Sequence, residues 1–299
     1  MKDFAGRTAF VTGGANGVGI GLVRALLAEG CNVAIADIRP AHIDAALRAL
    51  DNPRAMGVPL DVSSRADMAR AADAVEAKFG VVTLLFNNAG VNLFQSIEES
   101  SYDDWDWIMG VNLQGPINGV MTFVPRMIRA GSGGYVVNTA SMAGLLAAGT
   151  CGIYNTTKFA VRGMSESLRA SLAQHRIGVS VLCPGLVKSY IYASDEIRPQ
   201  ALKAGAKPVN TEFVKRLAEV HQFGMEPDVI AARVLEAMSE DRFHIFTHPE
   251  FKGEISELFG EILADFRDYP VDPGYSQRTD FEKTRRESYR KQRRGLKGS

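Results

Sequence analysis

Cysteine is scarce in this sequence, with only Cys31, Cys151 and Cys183 among 299 residues. An odd number without a Cys-x-x-Cys pair offers neither a disulfide framework nor a zinc-ligand spacing, so the thiols are expected to be buried and reduced. The five histidines, His42, His175, His221, His244 and His248, show no ligand spacing either, and no metal site is expected. Charge of one sign is not in excess: 34 Lys and Arg offset 34 Asp and Glu. No global field therefore draws the chain to nucleic acid or to an anionic membrane. No apolar run approaches the ~20 residues of a membrane span. Residues 1–6 leave no room for a signal peptide ahead of the first strand-like run. These absences point to a cytoplasmic protein that binds neither nucleic acid nor membrane.

What the chain does have is apolar residues, 46% of the total, laid out in short continuous runs. Residues 8–11, 32–36, 55–60, 83–86, 135–137, 179–182 and 243–246 are such runs, and their lack of alternation suits strands covered on both faces. Between them, 20–29, 64–79, 101–129, 153–175 and 227–240 carry helical spacing. Ser101 with Asp104 three residues on suits a helix N-terminus. The alternation predicts an α/β fold, a single-domain Rossmann-type doubly wound parallel sheet of about seven strands. It should span 1–250, followed by a C-terminal helical extension over 251–299. Two regions break the rhythm. Residues 186–225 form a long connection mixing Pro, Gly and charge, and such connections are usually functional. After a helix-like stretch, 255–266, comes a basic tail over 283–297, read as solvated or capping a neighbouring subunit, because the rest of the chain is then net acidic.

Thr12-Gly13-Gly14-Ala15-Asn16-Gly17-Val18-Gly19 lies between the first strand and the first helix. Glycines there permit a tight turn and let a pyrophosphate approach the backbone at a helix N-terminus. Asp37 ends the second strand, about 20 residues past the last glycine, where a carboxylate accepts both hydroxyls of a ribose. A 2′-phosphate would face a like charge, so NAD is favoured over NADP, with the nearby Arg39 as a partial counterweight.

The spacing T-G-x-x-x-G-x-G resembles the short-chain dehydrogenase/reductase family, and the match recurs along residues 7–190. It includes Leu60-Asp61-Val62, Asn87-Asn88-Ala89-Gly90, Asn112 in Val-Asn-Leu-Gln-Gly, Ser141 at the end of the fifth strand, Tyr154-x-x-x-Lys158 and Pro184-Gly185. The resemblance implies that NAD is held by Gly13, Asn16, Gly17, Val18, Gly19, Asp37 and Ile38, with Asp61 and Val62 at the adenine. Asn88, Ala89 and Gly90 would pack beside the cofactor, and Pro184, Val187 and Ser189 would meet the carboxamide. Ser189 stands where the family often has threonine. Asn112, Ser141, Tyr154 and Lys158 are the implied catalytic residues. Four residues apart, Tyr154 and Lys158 share one helix face. A tyrosine with a pKa of about 10 is a poor base, and an adjacent ammonium with the positive nicotinamide favours the phenolate. Tyr154 then takes the alcohol proton, Ser141 hydrogen-bonds the reacting oxygen, Lys158 also holds the nicotinamide ribose, and Asn112 anchors a proton-relay water.

For the substrate, the family positions are Ser141, Tyr154, Val91, Leu93, Met142, Tyr190 and Ile191. Mostly apolar, they and the long 186–225 segment suggest a bulky hydrophobic or aromatic alcohol or ketone. The Asp-Trp-Asp-Trp stretch, the loop and the C-terminal extension together resemble bacterial Cα-dehydrogenases of lignin β-aryl ether breakdown, which oxidise a benzylic secondary alcohol to a ketone. Steroid and terpenoid alcohols are the alternatives within enzymes. A non-catalytic NAD-binding regulator is the alternative of another class, disfavoured by the presence of both Tyr154 and Lys158. Trp105 and Trp107 are read as part of a packing or subunit-interface helix that resembles the family's dimerisation helix, and a homodimer or homotetramer is expected.

Overall fold

Seven strands pair in parallel into one sheet of order β3-β2-β1-β4-β5-β6-β7. They are β1 (Thr8–Thr12), β2 (Asn32–Asp37), β3 (Ala55–Pro59), β4 (Val82–Asn87), β5 (Gly134–Thr139), β6 (Ile177–Cys183) and β7 (His244–Phe246). The structure, a computed structural model, describes residues 3–206 and 211–295. Residues 207–210 of the long connection and the last residues of the basic tail, 296–299, lie outside that range. Each apolar run predicts a strand and each forms one, with ends displaced by a residue or two. β5 stops at Thr139, so Ser141 lies just beyond its end.

Helices cover both faces. α1 (Gly17–Ala28), α2 (Pro40–Leu50) and α3 (Arg65–Phe79) follow the first three strands. α2 is invisible to a periodicity reading because its buried face amounts to Ile43 and Ala46. The stretch 101–129, expected as one helix, is broken into α4 (Tyr102–Met109), a π-helical turn (Gly110–Gln114) and α5 (Gly115–Ala130). Pro116 supplies the reason: it has no N–H to return to the carbonyl of Asn112 four residues back. Ser101 caps α4 in a full capping box with Asp104. α6 (Gly152–Leu172), α7 (Thr211–His221), α8 (Pro227–Ser239), α9 (Lys252–Ala264) and α10 (Tyr275–Arg293) complete the set. Thus the long connection contains a helix, and the basic tail is helical from its start to Arg293, as the expected helical extension requires. No helix among the described residues is long and apolar enough to cross a membrane.

One core layer packs Leu22, Leu26, Ile35, Phe86 and Val234 between the sheet, α1 and α8. The other packs Phe10, Met68, Leu85, Phe123 and Val179 beneath α3 and α5. Cys31 and Cys183 are buried, whereas Cys151 is only half-buried.

Polar groups enter this core as a closed network. Arg169 of α6 donates to both carboxylate oxygens of Asp241 at 3.1 and 3.0 Å, and to the Val179 carbonyl at 2.8 Å. The fully buried Tyr135 hydroxyl donates to Asp241 at 3.2 Å and lies 2.8 Å from Ser180 Oγ. Arg169 also binds the carbonyls of Arg293 and Arg294, anchoring the end of α10. Arg169→Met leaves a buried carboxylate without its cation and should lower the unfolding free energy by about 3–5 kcal/mol, read from urea titrations. A loss below about 1 kcal/mol would mean that water already solvates the pair.

Candidate active site

The strand order reverses between β1 and β4, and the turns leaving these two strands face one crevice at the carboxyl edge of the sheet. Thr12 joins them: its Oγ1 accepts N–H groups from Asn88 at 2.9 Å and Ala89 at 3.0 Å. Gly13 has φ +61°, and a Cβ there would stand 2.9 Å from Ala89 Cα. At Gly19 a Cβ would fall 2.0 Å from the Gly13 carbonyl oxygen. Both positions therefore admit only glycine, and α1 begins directly against the turn with its N-terminus toward the crevice.

A cavity of 1390 Å³ fills this crevice. Gly13, Asn16, Gly17 and Val18 line it from the glycine-rich turn, and Asp37 and Ile38 from the end of β2. Asp61, Val62, Asn88, Ala89 and Gly90 follow from the β3 and β4 ends, and Pro184, Val187 and Ser189 from beyond β6. Gly19 does not line it; its contribution is the close packing just described. Asp37 is buried, and its Oδ1 accepts the Arg39 N–H at 3.1 Å. Its Oδ2 has no partner among the described residues. A buried carboxylate with one uncommitted oxygen in a cavity wall fits a vicinal diol. Asp61 spends its Oδ1 on the Ser63 N–H and hydroxyl at 2.9 and 2.7 Å.

Ser141, Tyr154 and Lys158 meet at the inner end of the cavity. Ser141 starts the turn after β5, accepting the Ala143 N–H at 3.1 Å. Lys158 is buried and donates to the Thr139 carbonyl at 3.0 Å, with Nζ 5.3 Å from the centre of the Tyr154 ring. Gly90 makes room for it, since a Cβ there would lie 3.4 Å from Nζ. Among the described residues no carboxylate pairs with this ammonium. Burial pushes Lys158 down to about 8 and pushes Tyr154 up to about 12, the nearby Ser141 hydroxyl acting against the latter. The expected phenolate needs the positive nicotinamide beside the ammonium; in the chain by itself, burial sets the direction at Tyr154.

Asn112 spends its side chain within the fold. Its Oδ1 accepts the Val91 N–H at 2.8 Å, and its Nδ2 donates to the Val91 carbonyl at 2.8 Å and to Thr157 Oγ1 at 3.3 Å. The amide is occupied at both ends and does not face the cavity, so it positions Val91 rather than holding water by its side chain. Val91, Met142, Tyr190 and Ile191 line the outer end of the cavity; Leu93 does not. Leu93 packs into the cluster of Trp107, Ile108 and Ile153, and its neighbour Phe94 lines the cavity instead.

Several wall residues carried no signal in the sequence. Trp107 packs in that buried cluster and also lines the cavity, beneath the Arg198 guanidinium 4.8 Å from its ring. Arg198 pairs with buried Asp104 at 2.5 Å, which ties the connection after β6 to α4. Burial works to raise the Asp104 carboxyl, but hydrogen bonds from the Ser101 backbone, Arg198 and Gln95 hold it below its ordinary value. His221 and Tyr192 add a polar–aromatic wall, their rings 5.2 Å apart, with His221 Nδ1 2.9 Å from the Val187 carbonyl. His248 fixes the Gly185–Leu186 turn. Its Nδ1 accepts the Gly185 N–H at 3.0 Å, and its Nε2 meets the Leu186 carbonyl at 2.9 Å. The Arg198–Asp104, His221–Val187 and His248–Gly185 contacts each span 34 residues or more, so spacing could not have found them.

A family model described as short chain dehydrogenase matches residues 7–199. A C alpha-dehydrogenase of Sphingobium sp. is 38% identical over 284 residues, covering 94% of this chain and 93% of its own. A solved structure from Novosphingobium aromaticivorans, described as a short-chain dehydrogenase, is 60% identical with a TM-score of 0.87, covering 99% of this chain and 100% of that one. A short chain dehydrogenase/reductase from Burkholderia phymatum, solved in complex with NAD, is 34% identical with a TM-score of 0.84, covering 91% and 100%.

The lysine supplies a pH test. Unfolded, Lys158 keeps its proton to about 10.5; folded and without NAD, it loses it near 8. Its charge therefore opposes folding fully below pH 8, and that penalty is relieved as pH rises from 8 to 10.5. Wild-type stability, measured by urea unfolding without NAD, should climb relative to Lys158→Met across that window. A flat difference would show a solvated or paired ammonium.

Proposed function

The chain belongs to the short-chain dehydrogenase family, and from that premise we propose that it oxidises a bulky, aryl-substituted secondary alcohol to the ketone with NAD. The observation that carries the reading is one cavity whose wall holds both Asp37, a buried carboxylate bonded to Arg39 through one oxygen only, and Ser141, Tyr154 and Lys158 together. Asp37 receives the ribose hydroxyls and repels a 2′-phosphate, which favours NAD. The N-terminus of α1 with Gly13, Asn16, Gly17 and Val18 receives the pyrophosphate. Asp61 and Val62 flank the adenine, and Pro184, Val187 and Ser189 bound the nicotinamide end, held by His248.

NAD, when bound, supplies the hydride acceptor and a positive charge. Ser141 Oγ hydrogen-bonds the carbinol oxygen and orients it toward Tyr154. Tyr154 Oη takes the carbinol proton. Burial opposes a lone phenolate and a lone ammonium alike, but the two together carry no net charge, so ionising Tyr154 and protonating Lys158 support each other. Lys158 has further donor hydrogens beyond the one given to Thr139, and these are available to a ribose hydroxyl. Asn112 acts at one remove by holding Val91 and Thr157 in place.

Phe94, Trp107, Tyr190 and Tyr192 line the outer cavity beside Val91, Met142 and Ile191. Aromatic side chains on several sides suit an aryl ring, and the Sphingobium relative's name, C alpha-dehydrogenase, agrees with a carbinol attached to such a group.

Tyr154→Phe removes the proton acceptor and little else, and should lower kcat by about 10²–10⁴-fold while NADH fluorescence titration reports unchanged binding. Turnover near the wild-type rate would take Tyr154 out of the mechanism.

The substrate reading has its own check. Burying an aryl ring predicts a kcat/KM for 1-aryl alcohols about a hundredfold above that for 2-propanol, followed by NADH absorbance. Tyr190→Ala should narrow that gap without changing NADH affinity. Equal use of short aliphatic alcohols would refute the aryl assignment and leave the dehydrogenase reading standing.

A further inference from the structure

Beyond residue 251 the chain forms two helices that bury little: Ile255, at the start of α9, packs partly against the core, and the rest of α9 leaves it. Neither α9 nor α10 has a single buried residue. α9 is nonetheless amphipathic in sequence, with Leu258, Phe259, Ile262, Leu263 and Phe266 repeating at helical spacing. Of these, Leu263 is 69% exposed and Phe266 80%. An apolar stripe of this size on a helix held to the core only at its start marks a surface that another molecule covers.

Charge identifies the cover. The stretch 250–272 carries seven Asp and Glu against Lys252 and Arg267, and Glu257 and Glu261 flank the apolar stripe one turn apart. α10 is the opposite, with seven Lys and Arg against Asp280, Glu282 and Glu287. α9 against the α9 of a second copy would set acid on acid, and α10 against α10 base on base. α9 against α10 matches in charge and adds Phe281, 68% exposed, to the apolar contact. Within one chain, α10 is committed elsewhere: it packs on α6, and its end is fixed by Arg169 through the Arg293 and Arg294 carbonyls.

We propose that α9 of one copy of this chain is covered by α10 of a second copy, and the reverse, in a two-fold exchange of arms. A reciprocal contact of this kind closes on itself and leaves no unpaired half. It also bears on the cavity, because Phe251 and Glu254, at the start of α9, stand in its wall.

The test uses the full-length protein and sedimentation velocity at low salt. Glu257→Lys with Glu261→Lys should halve the assembled mass at concentrations where wild type is assembled, raising the dissociation constant about tenfold or more. Arg286→Glu with Arg290→Glu should do the same. All four changes in one chain recreate the complementarity with signs exchanged, and should restore assembly. That rescue separates a specific contact from damage to either helix, which circular dichroism of each variant checks as well. A monomeric wild type, an unchanged mass after either reversal, or failure of the fourfold variant to reassemble would overturn the proposal. So would binding of wild type to anionic phosphatidylserine vesicles that Arg286→Glu with Arg290→Glu abolishes while the mass stays constant, since the occupant of α10 would then be a membrane.

Discussion

Helical connections leave β1 and β4 toward opposite faces of the sheet, so no helix fills the space between their ends. The crevice that results is a consequence of chain topology, and everything functional here depends on keeping it both open and rigid. One hydroxyl does much of that. Thr12 Oγ1 ties the glycine-rich turn to the Asn88–Ala89 turn with two backbone hydrogen bonds, and the glycines at 13 and 19 let the two turns and α1 come into direct contact.

On that frame the inner end of the cavity is a place where charge is costly. Lys158 has a backbone carbonyl for company and, among the described residues, no counter-ion, while burial favours the neutral form of Tyr154. A site arranged in this way is poorly satisfied by its own residues. The arrangement makes sense as half of a larger one, in which the bound cofactor and substrate complete the polar contacts. Strain of this sort is tolerable because the surrounding sheet is densely packed and the Arg169–Asp241–Tyr135 network closes the opposite side of the core.

The outer end is built by parts of the chain that ignore the β–α rhythm. The connection after β6 is held to α4 by the Asp104–Arg198 pair, and Arg198 lies over Trp107. His221 and His248 serve the same wall through backbone carbonyls and an amide, which makes them positioning residues. The aromatic wall is thus preassembled by contacts made within the chain.

Sequence alone determined the sheet, its strands and the inner site, because these rest on local signals. Apolar runs make strands, Tyr154 and Lys158 share a face by helical geometry, and the glycine-rich turn leads from β1 into α1. Sequence did not determine what contact across the fold decides. Pro116 splits a helix that periodicity reads as continuous, α2 buries too little to show a pattern, and Leu93 turns into a cluster while Phe94 takes the cavity. Asn112 illustrates the division most plainly. Its motif is legible, but the Val91 backbone, some twenty residues distant, consumes its amide, and only the tertiary structure could set that partner. The ionisation of the site belongs to the same class, since burial, a property of the whole fold, is the largest influence on Tyr154 and on Lys158.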